Sequence, residues 1–137
     1  MKRFLLLPAI AFIFLFSACD SGSGPGGQAT ITGKVYVKGN WNSTCTVYQD
    51  SSAGFASFYA PDVDVYLIYG DEPTYGDRVK TAPDGTYQFK YLRKGSYTVY
   101  AYSKDCNAVS GTSTAKAAVV ITEKKQEVSL LNLDINK

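Results

Sequence analysis

With 137 residues, 14 basic and 12 acidic, the chain is long enough for one domain with a real core, and it has no charge excess that would select nucleic acid. It has no histidine, which removes a Ser-His-Asp triad, a Cys-His pair and the commonest zinc ligand. No phosphate-binding Walker loop or dinucleotide glycine pattern occurs, and no cofactor is expected.

The chain opens on Met1-Lys2-Arg3, then thirteen mostly apolar residues from Phe4 to Phe16, then Ser17-Ala18-Cys19. A basic start, an apolar run and small residues before a cut predict a signal peptide over 1–18. The run is shorter than the roughly 20 residues of a transmembrane helix. Phe16-Ser17-Ala18-Cys19 resembles a bacterial lipobox, with Phe where Leu is commoner. The resemblance implies cleavage before Cys19 and lipid attachment to its sulfur, so that the membrane is held through Cys19. Two or more acyl chains anchor stably where one does not. Removing Lys2 and Arg3 with the signal leaves 12 basic and 12 acidic residues. Residues 19–28 then read as a lipid-anchored flexible linker, since Asp20 to Gln28 (DSGSGPGGQ) is Gly/Ser-rich. Its reach is on the order of 15–20 Å. The expected address is the bacterial cell envelope, the outer membrane by preference. Asp20 leaves inner-membrane retention and surface display both open.

Residues 29–137 are the expected domain. Ala29 to Lys38 alternates, with Ile31, Gly33, Val35 and Val37 inward and Thr30, Thr32, Lys34 and Tyr36 outward. Residues 40–60 form an insertion. Thr44 to Tyr48 is a possible short strand, and Phe55, Phe58 and Tyr59 are apolar enough to lid one end of the fold. Trp41, the single tryptophan, is read first as a plug of the core rim and second as a ligand platform. From Val63 to Tyr69 the odd positions alternate with Asp64, Tyr66 and Ile68, giving a strand. Arg78 to Ala82 is a shorter one. Within Asp84 to Ser103, Tyr87, Phe89 and Tyr91 share a face, Arg93-Lys94-Gly95 reads as a hairpin connection, and Tyr97, Val99 and Ala101 share a face opposite Thr98, Tyr100 and Tyr102. Lys104 to Ser113 is a polar loop, and Ala115 to Thr122 a strand. Glu127 to Ile135 is the last strand. Its apolar phase changes near Leu130-Leu131, as a bulge would produce. Short strands at regular spacing without helix predict an all-β, antiparallel, seven- to eight-stranded Greek-key β-sandwich of the Ig-like kind.

The pattern Asp84-Gly85, Tyr87, Phe89, Leu92, Gly95, Tyr97, Val99 resembles the carboxypeptidase regulatory-like domain, a prealbumin-like (transthyretin-like) sandwich. Ile31 to Val35 and Val65-Tyr66-Leu67 fit that family's other strands in the expected order. The resemblance covers roughly Ala29 to Asn136 and implies an accessory module, without catalysis. The hydroxyisourate hydrolases share the prealbumin fold but are known for catalytic histidines, so a small hydrolase is a remote alternative.

Cys45 and Cys106 remain as an even pair in an exported domain and are expected to form a disulfide, worth roughly 4 kcal/mol in the chain-entropy model. Two separate thiols are the alternative. Asp62 with Asp64, or Asp71 with Glu72, offers oxygen ligands but matches no dedicated calcium loop, so no metal is expected. Eleven tyrosines are the one suggestive surplus. Tyr36, Tyr66, Tyr100 and Tyr102 fall on outward phases and, with Trp41, make the possible binding surface for an envelope protein or glycan. Cross-strand packing that stiffens the sheet is the plainer account. The function expected is a non-catalytic, membrane-anchored binding or scaffold module. A purely structural lipoprotein is the alternative.

Overall fold

A computed structural model describes residues 22–39 and 57–137. Cys19, Trp41, Cys45, Phe55 and the possible strand at Thr44 to Tyr48 lie outside the described residues. Nine strands are found among those described: β1 (Pro25–Gly39), β2 (Phe58–Tyr59), β3 (Asp64–Tyr69), β4 (Asp77–Lys80), β5 (Thr86–Leu92), β6 (Gly95–Lys104), β7 (Thr112–Ile121), β8 (Glu127–Ser129) and β9 (Leu133–Asn136). They form two sheets. In the first, β1 is central: β5 and then β2 lie antiparallel to it, and β8 and then β9 parallel to it. The second sheet runs β4-β3-β6-β7, antiparallel throughout. The inner faces meet as one core of fully buried side chains. Ile31, Val35, Val37, Tyr87, Phe89 and Leu92 come from the first sheet, and Val65, Leu67, Tyr97, Val99, Ala101 and Ile121 from the second. This is the all-β sandwich expected from the alternation.

Several expectations need correcting. The Asp84–Ser103 stretch is not a hairpin. β5 pairs with β1 and β6 with β3 and β7, so Arg93-Lys94 carries the chain from one sheet to the other. Alternation dictates which face of a strand is buried but not which strand lies beside it. Alternation sets Tyr91 on one face with Tyr87 and Phe89. Tyr91 has φ 60°, which advances the phase by one residue, so it is exposed and Leu92 takes the inward place. The tyrosine hydroxyl of β6 closes this crossing: Tyr97 Oη donates to the Arg93 carbonyl at 2.8 Å and accepts from the Gly24 N–H at 3.0 Å.

The first strand begins at Pro25, four residues before the expected Ala29, which shortens the segment available as a tether. Glycine serves close approach here rather than flexibility. A Cβ on Gly27 would sit 1.8 Å from the Leu92 carbonyl oxygen. Phe58 and Tyr59 do not lid the sandwich; they pair with β1 as an edge strand and stay about two-fifths exposed. The last strand is two strands with a break between. Val128 and Leu130 pack against the core, Leu131 is exposed, and Leu133 and Ile135 are buried. The phase change lies where the sequence puts it, and its cause is interruption of a strand parallel to β1 rather than a bulge in an antiparallel one.

Candidate functional site

Sheet pleat and register build the site on the outer face of the second sheet. Tyr66 of β3 lies opposite Tyr100 of β6, and Tyr102 lies one pleat further along β6 on the same face. Neighbouring strands are about 4.7–4.9 Å apart. The Tyr66 and Tyr100 rings stack at 5.0 Å with planes 14° apart. Tyr102 meets both edge-on, at 5.5 Å from Tyr66 and 5.7 Å from Tyr100. Tyr75 completes the group, edge-on to Tyr66 at 4.9 Å. It arrives from the β3–β4 connection, which folds back along β3 through the Gly76 N–H to Leu67 carbonyl bond. Tyr75 and Tyr102 are about half exposed, while Tyr66 and Tyr100 are half-buried.

Tyr66 and Tyr100 each spend one face on the other. Burial, then the neighbouring Tyr102, Tyr66 and Tyr75 phenols, push the Tyr100 hydroxyl up from its ordinary value. Arg78 of β4 stands directly opposite Tyr66, and Lys116 of β7 opposite Tyr100. Asp64 lies beneath Arg78, with Oδ1 buried, 3.7 Å from Nε and without a hydrogen bond.

Of the residues expected in one surface, Tyr66, Tyr100 and Tyr102 are brought together and Tyr36 is not. Tyr36 sits on the outer face of the first sheet, edge-on to Tyr59 at 5.2 Å, and the Lys34 ammonium lies 4.7 Å from the Tyr59 ring. Sequence reading missed Tyr75, Arg78 and Lys116. Tyr75 lies in a connection, where alternation assigns no face; only the brevity of that connection hints that it folds back on β3.

Beyond Tyr75 lies an open cavity of about 430 Å³, lined by Gly22, Ser23, Tyr69, Asp71, Glu72 and Tyr75 among others. Asp62 is held by Lys80 at 2.7 Å, which lowers its carboxyl below the ordinary value. Cys106, in the β6–β7 connection, is disulfide-bonded, while its expected partner Cys45 lies outside the described residues.

No protein-family model matches the chain, and no curated protein does. A Pseudomonas aeruginosa protein of solved structure, named as a candidate carbohydrate-binding protein, is similar over 80% of this chain and 91% of its own. Identity is 16% and the TM-score 0.46, too distant to carry an inference.

The motif behind the family resemblance has structural work at each position. Hydrogen bonds from the Thr86 hydroxyl and N–H, then from Lys34, hold the Asp84 carboxyl down to about 2. Tyr87, Phe89, Leu92, Tyr97 and Val99 are all core residues.

Proposed function

We propose that this chain is a non-catalytic binding module of the bacterial envelope, of the carboxypeptidase regulatory-like type, anchored by lipid on Cys19. In this reading the Cys45–Cys106 disulfide ties the insertion to the β6–β7 connection. The observation that carries the binding role is the cluster of Tyr66, Tyr75, Tyr100 and Tyr102 on an outer sheet face. A sheet face that serves only as a wall tends towards scattered polar residues. Four clustered phenols, two of them half exposed, give instead a rigid amphipathic contact area at low cost in side-chain entropy. The partner is an envelope glycan or protein.

Capture from detergent-solubilised envelopes tests this, with the chain beside a Tyr66→Ala/Tyr100→Ala variant. The reading expects material retained by the first and lost by the second; equal capture by both would refute it. The anchor is tested by detergent phase partition: the native chain enters the detergent phase and Cys19→Ser stays aqueous. The mass of the Cys19→Ser chain checks that its signal segment is removed, and a native chain without added acyl mass on Cys19 would refute the anchor.

A further inference from the structure

The tyrosines do not stand on a neutral sheet. The register places Arg78, Tyr66, Tyr100 and Lys116 in one row across β4, β3, β6 and β7, a cation at each end and two phenols between. Three strand spacings make that row about 14 Å long. On the same face stand Lys80 of β4 and Lys104 of β6, against a single strand carboxylate, Asp64. Asp62 neutralises Lys80 from the adjoining loop, and Asp64 lies 3.7 Å from Arg78. Lys116 is exposed and enters no ion pair among the described residues. The acids on the other side, Asp71 and Glu72, sit past Tyr75 in the β3–β4 connection, off the row.

We propose that this face binds a linear acidic glycan lying across the strands, its carboxylates at Arg78 and Lys116 and its rings and hydroxyls over the tyrosines. The proposal rests on the binding-module reading and adds the ligand's chemical class. Charge complementarity selects the anion. The stacked pair selects a hydroxyl-rich polymer over a nucleic acid strand. Bases need open aromatic faces, whereas Tyr66 and Tyr100 each give one face to the other. A row set straight across four strands suits an extended chain rather than a compact small molecule.

Calorimetric titration of the mature chain tests it with three probes: hexagalacturonate, maltohexaose with the same linkage but no charge, and a short oligothymidylate. The expected result is binding of hexagalacturonate alone, weakened about tenfold or more by Lys116→Glu and by raised salt. Lys116 is exposed, so that variant keeps its fold, which a thermal melt checks. Maltohexaose bound as tightly as hexagalacturonate would overturn the acidic class and leave the tyrosine platform standing. Preferential binding of oligothymidylate would overturn it in favour of single-stranded nucleic acid. If no probe binds while Tyr66→Ala/Tyr100→Ala still abolishes envelope capture, the acidic-glycan proposal falls and the module reading survives. If that capture is also indifferent to the tyrosines, both fall.

Discussion

Tyrosine occupies two regions of this molecule with opposite consequences. Between the sheets, Tyr87 and Tyr97 are about 1% exposed and fill the core. On the outer face of the second sheet, Tyr66, Tyr75, Tyr100 and Tyr102 touch one another and solvent. Tyr97 and Tyr100 stand three residues apart on the same strand, so composition and local propensity cannot separate them. The pleat does: odd positions of β6 face the core and even positions face out. The inner tyrosines hold the fold; the outer ones are free to hold something else.

Substitutions that treat the two groups alike should therefore give unlike results. The largest loss is expected at Tyr97→Ala. It removes a buried ring and the hydroxyl that joins Gly24 to Arg93, costing about 3–5 kcal/mol in denaturant titration. Gly33→Ala comes next. Its Cβ would lie 2.3 Å from the Tyr87 hydroxyl, and forcing that wedged ring aside should cost about 1–3 kcal/mol by the same measurement. On the outer face, Tyr100→Ala loses the stacking with Tyr66, about 1 kcal/mol, and its main effect should appear in partner capture.

Alkaline titration sharpens the contrast further. Burial pushes the Tyr87 hydroxyl from 10.0 up to about 12. The unfolded chain therefore gives up that proton first, and stability should be intact below about pH 10 and fall progressively towards pH 12. The smallest effect at neutral pH is expected from Tyr87→Phe. The Tyr87 hydroxyl makes no hydrogen bond, so its removal should leave stability within about 0.5 kcal/mol or raise it slightly, and should blunt the alkaline fall.

Much of this was legible in the sequence, for a physical reason: a half-buried strand writes its faces as alternation. Val65, Leu67, Tyr97, Val99 and Ala101 were placed inward and Tyr66, Tyr100 and Tyr102 outward, as found. Partnership was not legible. β5 and β6 read as neighbours because a short polar break separates them, yet the same break spans the gap between sheets. The left-handed Tyr91 hid the phase shift that buries Leu92, since a non-glycine residue there leaves no compositional mark. Gly26-Gly27 read as tether because glycine marks flexible linkers and tight contacts alike. The row of Arg78 and Lys116 beside the tyrosines exists only once β4 and β7 are set against β3 and β6.

One double variant bears most directly on the division between inner and outer tyrosines. Tyr66→Ala/Tyr100→Ala should keep a cooperative unfolding transition, within about 2 kcal/mol of the parent, while envelope capture is lost. A collapse of stability as deep as that of Tyr97→Ala, or capture that persists undiminished, would contradict the account.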